Sequence, residues 1–294
     1  MFEQHFANYL MEKQKISETQ YVLVQEQQKI SRVKLGLIAV AEKLISNEQA
    51  EELNLLQKST DRRFGDLAIE KGYLTPEQVD FMLEKQGNPY LQLMQILTEN
   101  NVFSVDELEE LLNDYIVDNG FQAKDLEVLK NGDLDSIIAL FIKTDNSLVN
   151  DYLALAVRNV IRFINSRPLV NKVQVVKEYS AGNLSYQRLT GDNELLLGFA
   201  SNDNELLEIA SAFAKEDFNQ LDEDSFDSVC EFINCINGLF ATELSHNDVI
   251  LEIMPPGFGP NQKLSGPEGV FIVPMSLNGK QVDLIAVVNG QVDQ

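Results

Sequence analysis

With 294 residues, 44% hydrophobic and 23% charged, the chain has room for two domains with separate cores and no compositional mark of long disorder. Its formal net charge of −23 is shared: residues 1–145 hold 26 acidic against 14 basic side chains, and residues 146–294 hold 20 against 9. Either half would repel a phosphate backbone, which argues against general nucleic-acid binding, and no apolar run approaches the roughly 20 residues that span a bilayer.

The opening stretch, MFEQHFANYLMEKQK, lacks a basic segment followed by an apolar one, so no secretion signal is read and a cytoplasmic setting is expected. His5 and His246 stand apart from each other and from both cysteines, which argues against a histidine metal site or a Ser-His-Asp triad. Cys230 and Cys235 fall on one predicted helix but point in different directions. They read as buried free thiols, and no metal site or cofactor of the chain's own is expected.

Cutting the first half every 29 residues aligns four segments that start at His5, Lys34, Arg63 and Gln92. Ser17, Ser46, Thr75 and Ser104 share one register, and Gln20, Gln49, Gln78 and Glu107 follow three residues later. In such a capping box the hydroxyl accepts from an orphan backbone N–H, and the Gln or Glu reaches back to the cap. Ile16, Ile45, Leu74 and Phe103 precede the caps as a hydrophobic staple would. The pattern predicts four repeats over 1–117, each a short helix, a turn and a capped second helix. Stacking buries apolar stripes that no single repeat can bury.

The third repeat, RFGDLAIEKGYLTPEQVDFMLEKQ, resembles the MshEN-type repeat found at the start of type II secretion and pilus ATPases. Arg63, Gly65, Gly72, Leu83 and Gln86 match that pattern, while Phe64 and Val79 depart from it. The resemblance implies a cyclic-di-GMP site using Arg63, Gly65, Gly72 and Gln86. The other repeats fit poorly: Lys43 replaces the second glycine of repeat two, and Ala50 and Asn54 replace its leucines. The plainer reading, favoured on the residues, makes Arg63 a solvated helix-start residue and Gly65 a point of close helix packing.

Residues 118–145 break the period and read as a connector, with turns at Asn119-Gly120 and Asn131-Gly132. DLEVL is a short helix candidate, and SIIALFI is compatible with either helix or strand. From 146 to 294 the pattern becomes mixed α and β. SLVNDYLALAVRNVIRFINS is helical up to Arg167-Pro168. KVQVVKEYS, NLSYQRLTG and NELLLGFAS read as three strands separated by Gly/Asn turns. A second helix follows, capped by Asn202 or Asp203, then a third over residues 222–245, with acids at its positive end. VILEIM, GVFIVPM and KQVDLIAVV are the last strands, the final pair joined by an Asn278-Gly279 turn. The expected fold class is therefore α+β: an all-α array of helix-turn-helix repeats, then a single sheet covered by helices in an α/β sandwich.

On the third helix Phe226, Val229, Cys230, Ile233, Phe240 and Leu244 form an apolar stripe. Asp227, Glu231, Asn234 and Gly238 form a second one, lying within about 60° of each other at 100° per residue. This Asp-x3-Glu-x2-Asn arrangement, with Gly four further on, resembles the signature of CheX/CheC-type chemotaxis phosphatases. The first long helix carries no second Glu-x2-Asn pair, so the one-site, CheX-like form is the nearer. The resemblance implies dephosphorylation of the phospho-aspartate of a CheY-like response-regulator receiver. Asn234 would position the attacking water and Glu231 would dock a partner lysine, with Asp227 and Gly238 as orienting and docking residues. Mg2+ would come with the receiver, and the domain would form a homodimer. Two alternatives stand beside this reading: a receiver-binding protein without catalysis, and an interaction protein that responds to cyclic-di-GMP.

Overall fold

Each of the four Ser/Thr-x-x-Gln/Glu signals starts a helix in the computed structural model, which describes residues 1–27, 32–60 and 62–293. The last residue of the first repeat, Gln28, lies outside the described residues. The chain forms two units, Phe2–Asp133 and Leu134–Gln294.

The first unit holds α1 (Phe2–Glu12), α2 (Glu18–Gln27), α3 (Leu35–Ala41), α4 (Asn47–Thr60), α5 (Phe64–Glu70), α6 (Pro76–Glu84), α7 (Pro89–Glu99), α8 (Val105–Asp118) and α9 (Asp125–Asn131). At the starts of α2, α4, α6 and α8 the hydroxyls of Ser17, Ser46, Thr75 and Ser104 accept from the N–H three residues on, at 3.2–3.3 Å. The side chains of Gln20, Gln49, Gln78 and Glu107 accept from the cap N–H in return, at 2.7–2.9 Å.

A second device recurs at the same spacing. Gln14, Lys43, Gly72 and Asn101 all take the left-handed conformation, with φ between 54° and 71°. After each, a backbone N–H reaches five residues back, as from Lys15 to the Leu10 carbonyl and from Tyr73 to the Ala68 carbonyl, both at 2.9 Å or less. These turns satisfy orphan carbonyls and end the first helix of each pair. Apolar burial holds the pairs together: Ile16, Ile45 and Leu74 are buried, and Phe103 is half-buried. Phe2, Phe6, Tyr9, Tyr90 and Tyr115 form an aromatic cluster among α1, α7 and α8, with ring centroids 5.2–6.5 Å apart.

In the second unit SIIALFI resolves as helix up to Phe141, the last residue of α10 (Leu134–Phe141). The first long helix is α11 (Ser147–Asn159), continued by a π turn over Val160–Ile164. The strands are β1 (Leu169–Val170), β2 (Gln174–Gly191), β3 (Leu195–Ser201), β4 (Leu251–Ile253), β5 (Gly257–Leu277), β6 (Lys280–Val288) and β7 (Gln291–Asp293). Two further helices, α12 (Leu207–Ala214) and α13 (Glu223–Ser245), lie between β3 and β4.

Three sequence expectations need correction here. KVQVVKEYS and NLSYQRLTG are one strand, β2, with no turn at Gly182-Asn183. A Cβ on Gly182 would sit 2.2 Å from the Asn202 carbonyl oxygen, so this glycine permits close backbone approach rather than a turn. GVFIVPM is only the last third of a 21-residue strand. The second helix starts after Leu206 with no side-chain cap; neither Asn202 nor Asp203 caps it.

The seven strands form one antiparallel sheet in the order β1-β5-β6-β3-β2-β4, with β7 on β5. The two long strands each change partner along their length. The earlier part of β2 runs along β5 (Gln174↔Ile272 to Tyr186↔Gly257) and its later part along β3 (Asn183↔Ser201 to Leu189↔Leu195). The end of β5 pairs β6, and β6 pairs β3, so the sheet returns on itself. Residues alternating inward, among them Leu184, Leu196, Ala200, Leu264, Val270, Ile285 and Val287, fill the inside. The alternate residues of β2 and β3 face the helices, where Phe199 stacks on Phe232 of α13 at 5.6 Å. At the β5–β6 hairpin Asn278 and Gly279 have φ of 49° and 83°, as a two-residue turn of this hand requires.

Candidate functional site

The signature residues ride on α13, whose start is fixed locally. The Ser225 N–H donates to the Asp222 carboxylate at 3.1 Å, and the Asp222 N–H donates to Ser225 Oγ at 2.8 Å. That backbone donor holds the Asp222 carboxyl below its ordinary value, and Glu223 and Asp224 add negative charge at the helix's positive end.

The helix is buried over more of its circumference than one stripe. Phe226, Val229, Cys230, Ile233 and Phe240 are buried as expected, and so are Phe232, Ile236 and Asn237. Between Ser225 and Asn237 what remains exposed is narrow: Asp227, Glu231, Asn234 and Cys235, with Gly238 half-buried and Leu239 exposed beyond them. Cys235 is therefore not the buried thiol the sequence suggested. Burial pushes the Cys230 thiol up to about 11, helped by the nearby Asp227 and Glu231 charges, so it stays protonated and inert.

Neither Asp227 nor Glu231 has an ion-pair partner among the described residues. Beside Asp227, Phe226 stacks on Phe258 of β5 at 5.0 Å, and Phe258 with Ile253 and Met254 leaves apolar surface exposed. A Cβ on Gly238 would meet nothing within 4 Å, so nothing inside the described chain calls for glycine there. In mid-helix a glycine costs about 1 kcal/mol relative to alanine.

Asn234 is held from below. Its Oδ1 accepts from Gln187 Nε2 of β2 at 3.1 Å. Gln187 Oε1 accepts in turn from Asn237 Nδ2 at 2.9 Å, and Asn237 Oδ1 accepts from the Tyr152 hydroxyl of α11. Gln187, Asn237 and Tyr152 are all buried, and burial raises the Tyr152 phenol well above its ordinary value, so it keeps its proton to donate. The sequence reading missed these three residues. The legible signal was a carboxamide, Asn237, on the apolar side of an otherwise apolar helix stripe.

Of the residues named for cyclic-di-GMP, Gly65, Gly72 and Gln86 have work inside the first unit. Gly65 lets α5 pack on α6, since a Cβ there would lie 2.8 Å from Val79 Cγ1. Gly72 is the left-handed helix stop of its pair, and its empty surroundings show no close approach. Gln86 donates to the Val33 carbonyl at 2.8 Å, tying the end of the third pair to the start of the second. Arg63 is exposed at the N-cap of α5.

Residues 184–268 match the family model described as the chemotaxis phosphatase CheX. That segment holds β3, α12, all of α13 and the four signature residues, together with Gln187 and Asn237. No match was found among curated proteins. Among solved structures, a chemotaxis protein CheX from Desulfovibrio desulfuricans aligns at 14% identity over 49% of this chain and 99% of its own, with a TM-score of 0.42. The chemotaxis protein CheX from Vibrio vulnificus aligns at 15% identity over 50% of this chain and 100% of its own, with a TM-score of 0.42. A CheX–CheY–BeF3–Mg2+ complex from Borrelia burgdorferi aligns at 18% identity over 50% and 98%, with a TM-score of 0.38.

Proposed function

We propose that the second unit removes the phosphoryl group from the phospho-aspartate of a CheY-like response-regulator receiver in bacterial signalling. The observation that carries this reading is the exposed stripe of Asp227, Glu231, Asn234 and Gly238 on one capped helix, inside the segment that matches the chemotaxis-phosphatase family.

An acyl phosphate already has a good leaving group, so its hydrolysis needs an aligned water more than a strong base. Asn234 holds that water in line. The water oxygen bonds to phosphorus as the phosphorus–oxygen bond to the receiver's aspartate breaks, giving inorganic phosphate and a free carboxylate. Glu231 pairs with a receiver lysine and sets the register of the two proteins, and Asp227 steers from the rim. Gly238 lets the receiver backbone come close, which gives the mid-helix glycine a reason that the chain's own packing does not supply. The Phe258, Ile253 and Met254 surface adds apolar contact beside the charged stripe. The Mg2+ and the phosphorylated aspartate are the receiver's. The capped helix pairs of the first unit, read as a repeat array, act as the sensing or docking module.

The test follows the decay of a CheY-type receiver, phosphorylated with acetyl phosphate in Mg2+, with the full chain and with its Glu231→Ala and Asn234→Ala variants. The full chain is expected to accelerate decay, and both variants to lose that acceleration by tenfold or more, about 1.4 kcal/mol or more in barrier. Binding without acceleration would favour a non-catalytic receiver-binding protein and end the enzyme reading.

A further inference from the structure

From the buried hydrogen-bond chain below Asn234 we infer that Tyr152, Gln187 and Asn237 form a positioning relay that fixes which end of the Asn234 carboxamide faces outward. The inference rests on the phosphatase reading and deepens it.

A carboxamide is nearly symmetric in shape, but its two ends do opposite things: oxygen accepts and nitrogen donates. An exposed Asn free to rotate would offer both ends to a catalytic water. Here the three contacts run in one sense. Tyr152 donates to Asn237 Oδ1, Asn237 Nδ2 donates to Gln187 Oε1, and Gln187 Nε2 donates to Asn234 Oδ1. Asn234 is thus left with its Nδ2 group outward, which has no partner among the described residues.

The reverse sense is self-consistent among the three amides, so the amides alone cannot select a direction. The closed end of the chain does. Reversal would turn Asn237 Nδ2 toward Tyr152 and leave a fully buried hydroxyl hydrogen without an acceptor. Tyr152 is packed against movement, its ring stacked on Phe240 at 4.4 Å. Direction is therefore set at a buried tyrosine on α11 and read out at the surface of α13, through a strand residue between them. An outward N–H binds water by its oxygen and leaves a lone pair for phosphorus, whereas an outward carbonyl would bind water by its hydrogen.

Two variants of the full chain test the relay. Gln187→Met keeps length and apolar fit but removes both contacts; Tyr152→Phe keeps the ring and its stack but removes the direction-setting donor. With the acetyl-phosphate-labelled CheY-type receiver, Gln187→Met is expected to lower kcat about tenfold, while the receiver concentration at half-maximal rate stays within about twofold. Tyr152→Phe, which makes the two senses comparable rather than reversing them, is expected to lower kcat about two- to threefold. In 15N-labelled protein the Asn234 side-chain amide pair, assigned by its loss in Asn234→Ala, shifts in both variants. A merely structural Tyr152, three hydrogen bonds away, would leave that pair where it is.

A Gln187→Met kcat within twofold of wild type overturns the relay, as does a loss carried by half-saturation alone. If the wild-type chain does not accelerate decay, the phosphatase reading fails by itself. The amide pair then decides: movement in Tyr152→Phe upholds the relay, and an unmoved pair overturns it.

Discussion

The two units specify themselves at different ranges along the chain. In the first, the recurring devices lie within six residues: a hydroxyl and a Gln or Glu three apart start the second helix of each pair, and a left-handed residue stops the first. In the second, the decisive contacts are remote in sequence. Gln187 meets Asn234 across 47 residues, and Tyr152 meets Asn237 across 85. Local devices can be copied, which is how one pattern recurs at a 29-residue spacing; remote ones depend on the whole sheet being in register.

The largest break in that comparison comes from the second unit's core. Phe232 is fully buried between Phe199 and Phe213, so Phe232→Ala should cost about 3–5 kcal/mol in urea unfolding, with faster hydrogen exchange through β3 and α13. A cost under about 1 kcal/mol would mean that α13 is not anchored by this ring. Gly182→Ala comes next, at about 1–3 kcal/mol, because its methyl would collide with backbone rather than with a side chain that can swing away.

In the first unit the effects should be smaller and stay local. Thr75→Ala removes one capping box and should cost about 1 kcal/mol, with exchange quickened in α6. The helix stops allow a paired test: Lys43 and Gly72 hold the same left-handed position in successive pairs. Lys43→Gly should stabilise by about 1 kcal/mol and Gly72→Ala destabilise by a similar amount. Equal signs would show that the two turns are not equivalent.

The same contrast in range explains what could be read in advance. The capping boxes were legible because Ser17 and Gln20 are three residues apart, and the exposed stripe was legible because Asp227, Glu231 and Asn234 share one helix face. The left-handed stops were hidden because Gln14 and Lys43 are not residues that turns favour, and only Gly72 and Asn101 advertise the conformation. The β2 strand was split because Gly182-Asn183 looks like a turn, and nothing local reveals that Asn202 needs the space. The early part of β5 was missed because PNQKLSGPEG is polar and rich in turn residues. It is a strand because β2 and β7 pair along it, with Leu264 opposite both Tyr179 and Val292. Gln187 carries no local mark of its role, since its partners on α13 lie far along the chain.

The smallest expected change in stability separates stability from function most cleanly, because the two should move in opposite directions. Gly238 sits in the middle of α13, where replacement by alanine restores helix propensity and meets no atom within 4 Å. Gly238→Ala should therefore stabilise the second unit by about 0.5–1 kcal/mol, read as a higher urea midpoint at unchanged slope. If the receiver's backbone passes over this position, the added methyl lies in its path. The receiver concentration at half-maximal dephosphorylation should then rise about tenfold or more, with kcat little changed, since Asn234 one turn away keeps its Gln187 contact. A stabilised variant that engages the receiver as well as wild type would remove close approach as the reason for this glycine. It would also move the docking surface toward Asp227 and the exposed Phe258 edge.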